Sequence, residues 1–173
     1  MVDFDKIWVE KYRPKTLNDI ILDDRTLEII KEFKDEIPNL LFVGNPGTGK
    51  TTLAQIIVND ILKCNYLYIN ASDESGIDTI RHNITNFAQT KSFDGKVKVV
   101  ILDEADGLTT QAQSALRNTM ETYAKYCRFV LTANYKHKII PALQSRCQAL
   151  DIKPVVESAV KRCYNILKNE NIT

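Results

Sequence analysis

Short apolar runs alternate along this chain with longer stretches in which apolar positions recur every three or four residues. The runs at 40–44, 65–70, 98–106, 128–134 and 146–152 read as strands. Residues 49–62, 77–90 and 109–124 have helical spacing, as does the stretch that follows Pro154. An earlier helix is predicted over 23–36, with Leu27, Ile30 and Phe33 on one face, an aspartate in a favoured capping position and Pro38 as its stop. Asp78 is the expected cap of the helix over 77–90. Residues 1–22 are mixed and read as irregular, because Pro14 restricts Arg13 and opposes a helix there.

Strands that alternate with helices predict an α/β fold with parallel pairing, right-handed crossovers and helices on both faces. The strands are almost continuously apolar, as they must be when both faces are covered. Ligands of such sheets collect at the carboxyl ends of the strands. The unusual residues of this sequence lie at those ends.

The first strand runs into Gly44-Asn45-Pro46-Gly47-Thr48-Gly49-Lys50-Thr51-Thr52. This is the spacing G-x-x-x-x-G-K-[ST], with the preceding strand and following helix that the motif requires. Glycines let backbone N–H groups turn inward, and the positive end of the next helix adds to the anion cradle they form. Lys50 can reach the β- and γ-phosphates of a triphosphate, and the Thr51 hydroxyl can ligate Mg2+. The stretch therefore implies a bound triphosphate with Mg2+.

The third strand delivers Asp103 and Glu104 to its end. Asp103 suits a direct or outer-sphere role toward Mg2+, which prefers oxygen donors. Glu104 is expected to point the other way and to act as general base, or to orient the attacking water. Asp106 is expected to make structural hydrogen bonds. Asn134 ends the next strand, where an amide could hold the lytic water or read the γ-phosphate; an isolated asparagine there is more often a turn residue. Arg146 could meet the charge of the γ-phosphate in the transition state, or could be a plain surface arginine.

Composition narrows these readings. The chain has 173 residues, 44% hydrophobic and 26% charged, with a formal net charge of +1. A protein that grips DNA alone usually carries a basic excess. No apolar run approaches the length of a membrane span. Cysteines at 64, 127, 147 and 163 form no C-x-x-C pair, and His82 and His137 are far apart, so the thiols are expected to pack as small hydrophobes in a reducing compartment.

The segments VEKYRPKTL, GNPGTGKTT, NASDESGIDTIR, LDEADGLTTQAQSALRNTME, LTAN and LQSRC, in this order, resemble those of clamp-loader small subunits, the AAA+ ATPases of replication factor C type. The resemblance implies a P-loop AAA+ domain over 1–153, with a parallel five-stranded sheet flanked by helices. Residues 154–173 would be the first helix of a lid domain that is otherwise absent. It implies an ATPase that opens a sliding clamp and loads it on primer–template DNA, working with other subunits in a five-membered spiral. By resemblance Arg146 is the arginine finger that acts on the neighbouring subunit's nucleotide, Asn134 is the first sensor, and Tyr12 and Arg13 lie against the adenine. Thr79 and Arg81 would contact DNA phosphate, with a solvated helix face the alternative for Arg81 and Arg117.

The chain departs from the family's pattern at Ser75 and Asn118, where basic residues are common, which puts its own DNA contact in doubt. With a lid arginine expected to be missing, weak nucleotide binding and poor hydrolysis are expected of this chain alone. Phe87 or Phe93 could anchor the clamp, with core packing the alternative for Phe87. The expected setting is intracellular, soluble and at sites of DNA replication. A non-hydrolysing structural subunit of the same assembly and another DNA-acting AAA+ machine are the competing readings. Glu104 together with Thr51 favours hydrolysis over the former.

Overall fold

The structure is a computed structural model that describes residues 7–34, 37–72, 76–90, 95–153 and 155–172. Strands β1 (Leu40–Val43), β2 (Tyr66–Asn70), β3 (Lys98–Asp103), β4 (Cys127–Ala133) and β5 (Gln148–Asp151) form one sheet in the order β2–β3–β4–β1–β5. Every pairing is parallel. The helices are α1 (Trp8–Lys11), α2 (Asp24–Lys31), α3 (Lys50–Ile56), α4 (Ile77–Gln89), α5 (Thr110–Thr122), α6 (Pro141–Gln144) and α7 (Val156–Asn169).

Because successive strand residues point to opposite faces, the sheet builds two cores. Leu41, Val43, Val100, Leu102, Phe129 and Leu131 pack against Ile80 and Ile84 of α4, Leu116 of α5 and Leu143 of α6. Leu40, Phe42, Val99, Ile101 and Val130 pack against Ile30 of α2 and Leu53 and Ala54 of α3. Ile80, Ile84 and Leu116 are fully buried, and each such side chain contributes up to about 2 kcal/mol from the apolar area it removes from water. The crossover leaving β1 through α3 thus lies on one face, and those through α4, α5 and α6 lie on the other. This reversal opens a crevice at the carboxyl end of β1.

Several elements differ from their sequence patterns. Within the stretch expected to be irregular, Trp8–Lys11 form a helical turn that ends at Tyr12, two residues before Pro14. Asp23 caps α2 by accepting from Thr26 N at 3.0 Å, and the helix stops at Lys31 rather than running on to Pro38. There the chain tightens, with Phe33 N donating to Ile30 O at 3.1 Å.

Asp78 is not a cap. Gly76 occupies that position without a side-chain bond, and Asp78 sits in the first turn. Ile77 already packs against the core, which starts the helix one residue before Asp78. The helix after the phosphate loop passes from α3 into a π-helical turn, Ile57–Ile61. There Leu62 N donates to Ile57 O at 2.9 Å, and Asp60 accepts from Leu17 N at 3.1 Å. The third strand ends at Asp103, not Asp106.

Candidate active site

The loop between β1 and α3 takes its shape from two kinds of glycine. At Gly47 (φ +79°) and Gly49 (φ +91°) the backbone is left-handed, where a Cβ would be strained. Gly44 answers a different demand: a Cβ there would sit 2.4 Å from the Ile152 carbonyl oxygen. The dihedral explanation drawn from the sequence therefore does not apply to Gly44, which lets the end of β5 approach β1.

Lys50 opens α3 and is 7% exposed. Its ammonium donates to Gly44 O at 2.8 Å, Asn45 O at 2.9 Å and Asn134 Oδ1 at 2.9 Å. Three bonds exhaust its three protons, which is how a buried cation is made tolerable. Burial pulls its pKa below the ordinary lysine value, against the opposing pull of the Asp103, Asp106 and Glu104 carboxylates.

The next residue connects the loop to β3. Thr51 Oγ1 donates into the Asp103 carboxylate, 2.8 Å from Oδ1 and 2.9 Å from Oδ2. Asp103 is itself buried. It also accepts from Thr132 Oγ1 on β4 and from Tyr68 OH on β2, the latter at 2.8 Å. Thr132 Oγ1 in turn accepts from Glu104 N at 3.0 Å.

Glu104 has φ +55°, a conformation that costs an L-residue roughly 1–2 kcal/mol and is found at sites where geometry is over-determined. Its direction therefore comes from this left-handed turn, not from strand alternation as the sequence suggested. The exposed carboxylate accepts from Ser72 Oγ at 2.6 Å. Asp106 accepts from Tyr135 N at 3.2 Å, a structural bond of the kind its sequence position implied.

A cavity of about 710 Å³ lies between the 8–21 segment, Gly47–Thr52 and α7. Tyr12, Arg13, Gly47, Thr48, Gly49, Lys50, Thr51 and Thr52 all line it. Asn45 and Pro46 are exposed on the outer turn of the loop and are not among its walls. Four residues of α7, Arg162, Cys163, Ile166 and Leu167, are. Arg162 donates to Tyr12 O at 2.9 Å and to Asp19 O. Lys11 Nζ and Tyr12 OH both reach Glu170 Oε1, at 2.6 and 2.7 Å. These bonds fasten α7 across the N-terminal segment. Arg162 of α7 therefore stands in the cavity wall with its guanidinium engaged by backbone carbonyls of the N-terminal segment.

Other predicted residues lie elsewhere. Arg146 is bonded to Glu121 and to Ala142 O and is not part of the cavity wall. Thr79 and Arg81 are exposed on α4, on the sheet face opposite α3, with Arg81 3.6 Å from Asp78. Arg117 is held by Asn118 Oδ1 at 2.8 Å. Phe87 packs against the core. Phe93 and Ser75 lie outside the described residues.

Tyr68, Thr132, Ser72 and Arg162 were not singled out from the sequence. A signal existed for Thr132, a polar residue two positions before Asn134 that interrupts the apolar run from Phe129 to Ala133. Among the described residues, no helix is long and apolar enough to cross a membrane.

Comparison with known proteins places this geometry. Residues 40–154 match the profile described as ATPase family associated with various cellular activities (AAA). The replication factor C small subunit of Archaeoglobus fulgidus is 46% identical over 175 aligned residues, covering 96% of this chain and 55% of the relative. Replication factor C subunit 3 of Saccharomyces cerevisiae is 43% identical, covering 95% and 51%. The chain thus spans about half the length of the curated relatives it matches. The solved structure of the Thermotoga maritima RuvB Holliday junction branch migration motor superposes with a TM-score of 0.62 at 20% identity, covering 82% of this chain and 48% of that one. That likeness concerns the fold alone.

Proposed function

The chain belongs to the ATPase family associated with various cellular activities, and on that premise we propose that it is an ATP-hydrolysing subunit of a sliding-clamp loader. The observation that carries the reading is the pair of bonds joining the phosphate loop to the strand ends: Thr51 to Asp103 and Lys50 to Asn134. Four groups suited to a magnesium–triphosphate complex are held in one cluster, beside a cavity of nucleotide size. The similarity to replication factor C subunits supports the clamp, primer–template DNA and partner subunits as the working context.

In this reading bound ATP supplies the phosphoanhydride, and Mg2+ supplies Lewis-acid neutralisation of the charge that develops on it. The fit rests on donor chemistry. Thr51 and Asp103 are oxygen donors suited to a hard cation, and the left-handed glycines shape the loop around an anion. Lys50 binds phosphate oxygens through the ammonium now shared by two loop carbonyls and Asn134. Glu104 takes the proton of the attacking water or orients it, and Ser72 holds its carboxylate. Asn134 reports the γ-phosphate through Lys50. Tyr12 and Arg13 form the wall toward the base.

Arg146 acts on the nucleotide of a neighbouring subunit. Its place outside its own cavity wall supports this, as does the head-to-tail geometry through which one subunit can sense another's ligand. Residues 1–153 form the nucleotide-binding domain, and α7 begins a lid that the longer relatives would continue. Thr79 and Arg81 offer an exposed phosphate contact, and the net charge of +1 favours weak contacts summed over several subunits.

The test is Glu104→Gln in the loader assembled with its clamp and primed DNA. ATP binding should persist while clamp-stimulated hydrolysis falls about 10²–10⁴-fold, the usual worth of a general base. Hydrolysis unchanged by that substitution would contradict the assignment.

A further inference from the structure

Tyr68 lies on β2, an edge strand, and is 40% exposed. An edge tyrosine of that exposure has solvent available for its hydroxyl. Its phenol instead turns inward and donates to Asp103 Oδ2 at 2.8 Å. The register explains the reach. Tyr68 pairs with Ile101, and Asn70 pairs with Asp103. Asp103 is therefore the same-face diagonal neighbour of Tyr68, the separation that a long aromatic side chain can span.

The Asp103 carboxylate is consequently held from three directions by hydroxyls. Thr132 donates to Oδ1, Tyr68 donates to Oδ2, and Thr51 lies within reach of both. β4 and β2, the strands on either side of β3, contribute the first two, and α3 contributes the third. Among the bonds of the described residues, Tyr68 supplies the one from β2 to this carboxylate, and without it Oδ2 keeps the bond it shares with Thr51.

We infer that Tyr68 is a positioning residue for the magnesium site, its hydroxyl fixing the Asp103 carboxylate in the orientation that Thr51 and the metal require. This rests on the reading of Asp103 and Thr51 as magnesium residues. Groups that orient a metal's ligands commonly carry about 10–100-fold in metal affinity, and Tyr68 meets that description through one bond.

Tyr68→Phe removes the hydroxyl and leaves the ring. Tyr66→Phe is the matched control, two residues earlier on the same strand face. ATP affinity would be measured by calorimetry in EDTA and across a Mg2+ titration, and Mn2+ uptake in saturating ATP would be followed by electron paramagnetic resonance. The expected result is an unchanged melting transition and EDTA affinity, with the half-saturating Mg2+ and Mn2+ concentrations raised about tenfold in Tyr68→Phe and unchanged in Tyr66→Phe. Metal requirements within twofold of the wild type would overturn the inference alone. So would an equal loss of affinity with and without metal, which would mark a general structural role. A wild-type chain that takes up no metal in the presence of ATP would overturn the triphosphate reading and this inference with it.

Discussion

Lys50 Nζ donates to Asn134 Oδ1 at 2.9 Å across 84 positions of sequence, tying the start of α3 to the end of β4. The bond gives Asn134 a role its sequence position only hinted at, since it is the one side-chain acceptor among three partners of a buried cation. Asn134→Ala leaves Lys50 with the carbonyls of Gly44 and Asn45. Loss of one such bond should change ATP affinity by about tenfold or less. If the amide also reads the γ-phosphate, turnover of the assembled protein should fall further, by about 10²-fold. Separate measurement of Kd and kcat distinguishes the two effects.

The clasp of Lys11 and Tyr12 on Glu170 predicts an acid-sensitive attachment of α7. Hydrogen bonds from Lys11 and Tyr12 hold the Glu170 carboxyl below its ordinary value of 4.5. A depressed carboxylate contributes stability above the unfolded-state pKa and loses it as pH falls through the folded-state value. The attachment should therefore be constant at neutral pH and released only below about pH 4.5. Trp8 is the only tryptophan and lines the cavity beneath α7, so its emission reports the change. Glu170→Gln should show the released emission already at pH 7.

Thiol reactivity should map the cavity. Cys163 is exposed and lines it. Burial pushes the Cys127 thiol up and the Cys147 thiol to about 12, and a buried thiol that stays protonated is a poor nucleophile. At pH 8, N-ethylmaleimide should modify Cys163 ahead of the other three, and Mg2+ with ATP should slow that modification. Mass spectrometry of the peptides gives the order directly.

A stability prediction concerns Lys98, which is 4% exposed although it is charged. Its ammonium closes the carboxyl end of α4, donating to Phe87 O at 2.8 Å, to Thr90 Oγ1 at 2.9 Å and to Thr90 O. It also sits 5.2 Å from the Phe87 ring centroid. Cations are favoured at this end of a helix. Lys98→Met would keep the volume and leave those acceptors without their donor. Unfolding free energy should fall by about 2 kcal/mol, the cost of a lost charged hydrogen bond, as read from urea melts.

The central strands β1, β3 and β4 were legible as apolar runs because both faces of the sheet are covered there, while the edge strands β2 and β5 leave residues such as Tyr68 and Gln148 exposed. The order β2–β3–β4–β1–β5 was not legible, since nothing local says which run will lie beside which. The phosphate loop could be read because its residues are contiguous. The groups around Asp103 could not. Tyr68, Thr132 and Thr51 come from β2, β4 and α3, and meet only once the register is set. The Tyr12–Glu170 bond spans 158 positions and left no mark on local pattern. The π turn at Ile57–Ile61 was equally hidden, because one added residue scarcely disturbs apolar spacing. Gly44 was recognised for the right motif and the wrong reason: the nearby Ile152 carbonyl, not a left-handed backbone, excludes a side chain there.

The most direct measurement is calorimetric titration of ATP with Mg2+ into the wild-type chain and into Lys50→Ala. Lys50 is the cation at the centre of the cluster, so the account predicts a saturable heat for the wild type. It predicts at least a hundredfold loss of affinity in the variant, on the order of 3 kcal/mol, the upper range for a hydrogen-bonded charge. Equal heats in the two proteins, or none from a folded wild type in its assembled state, would contradict it.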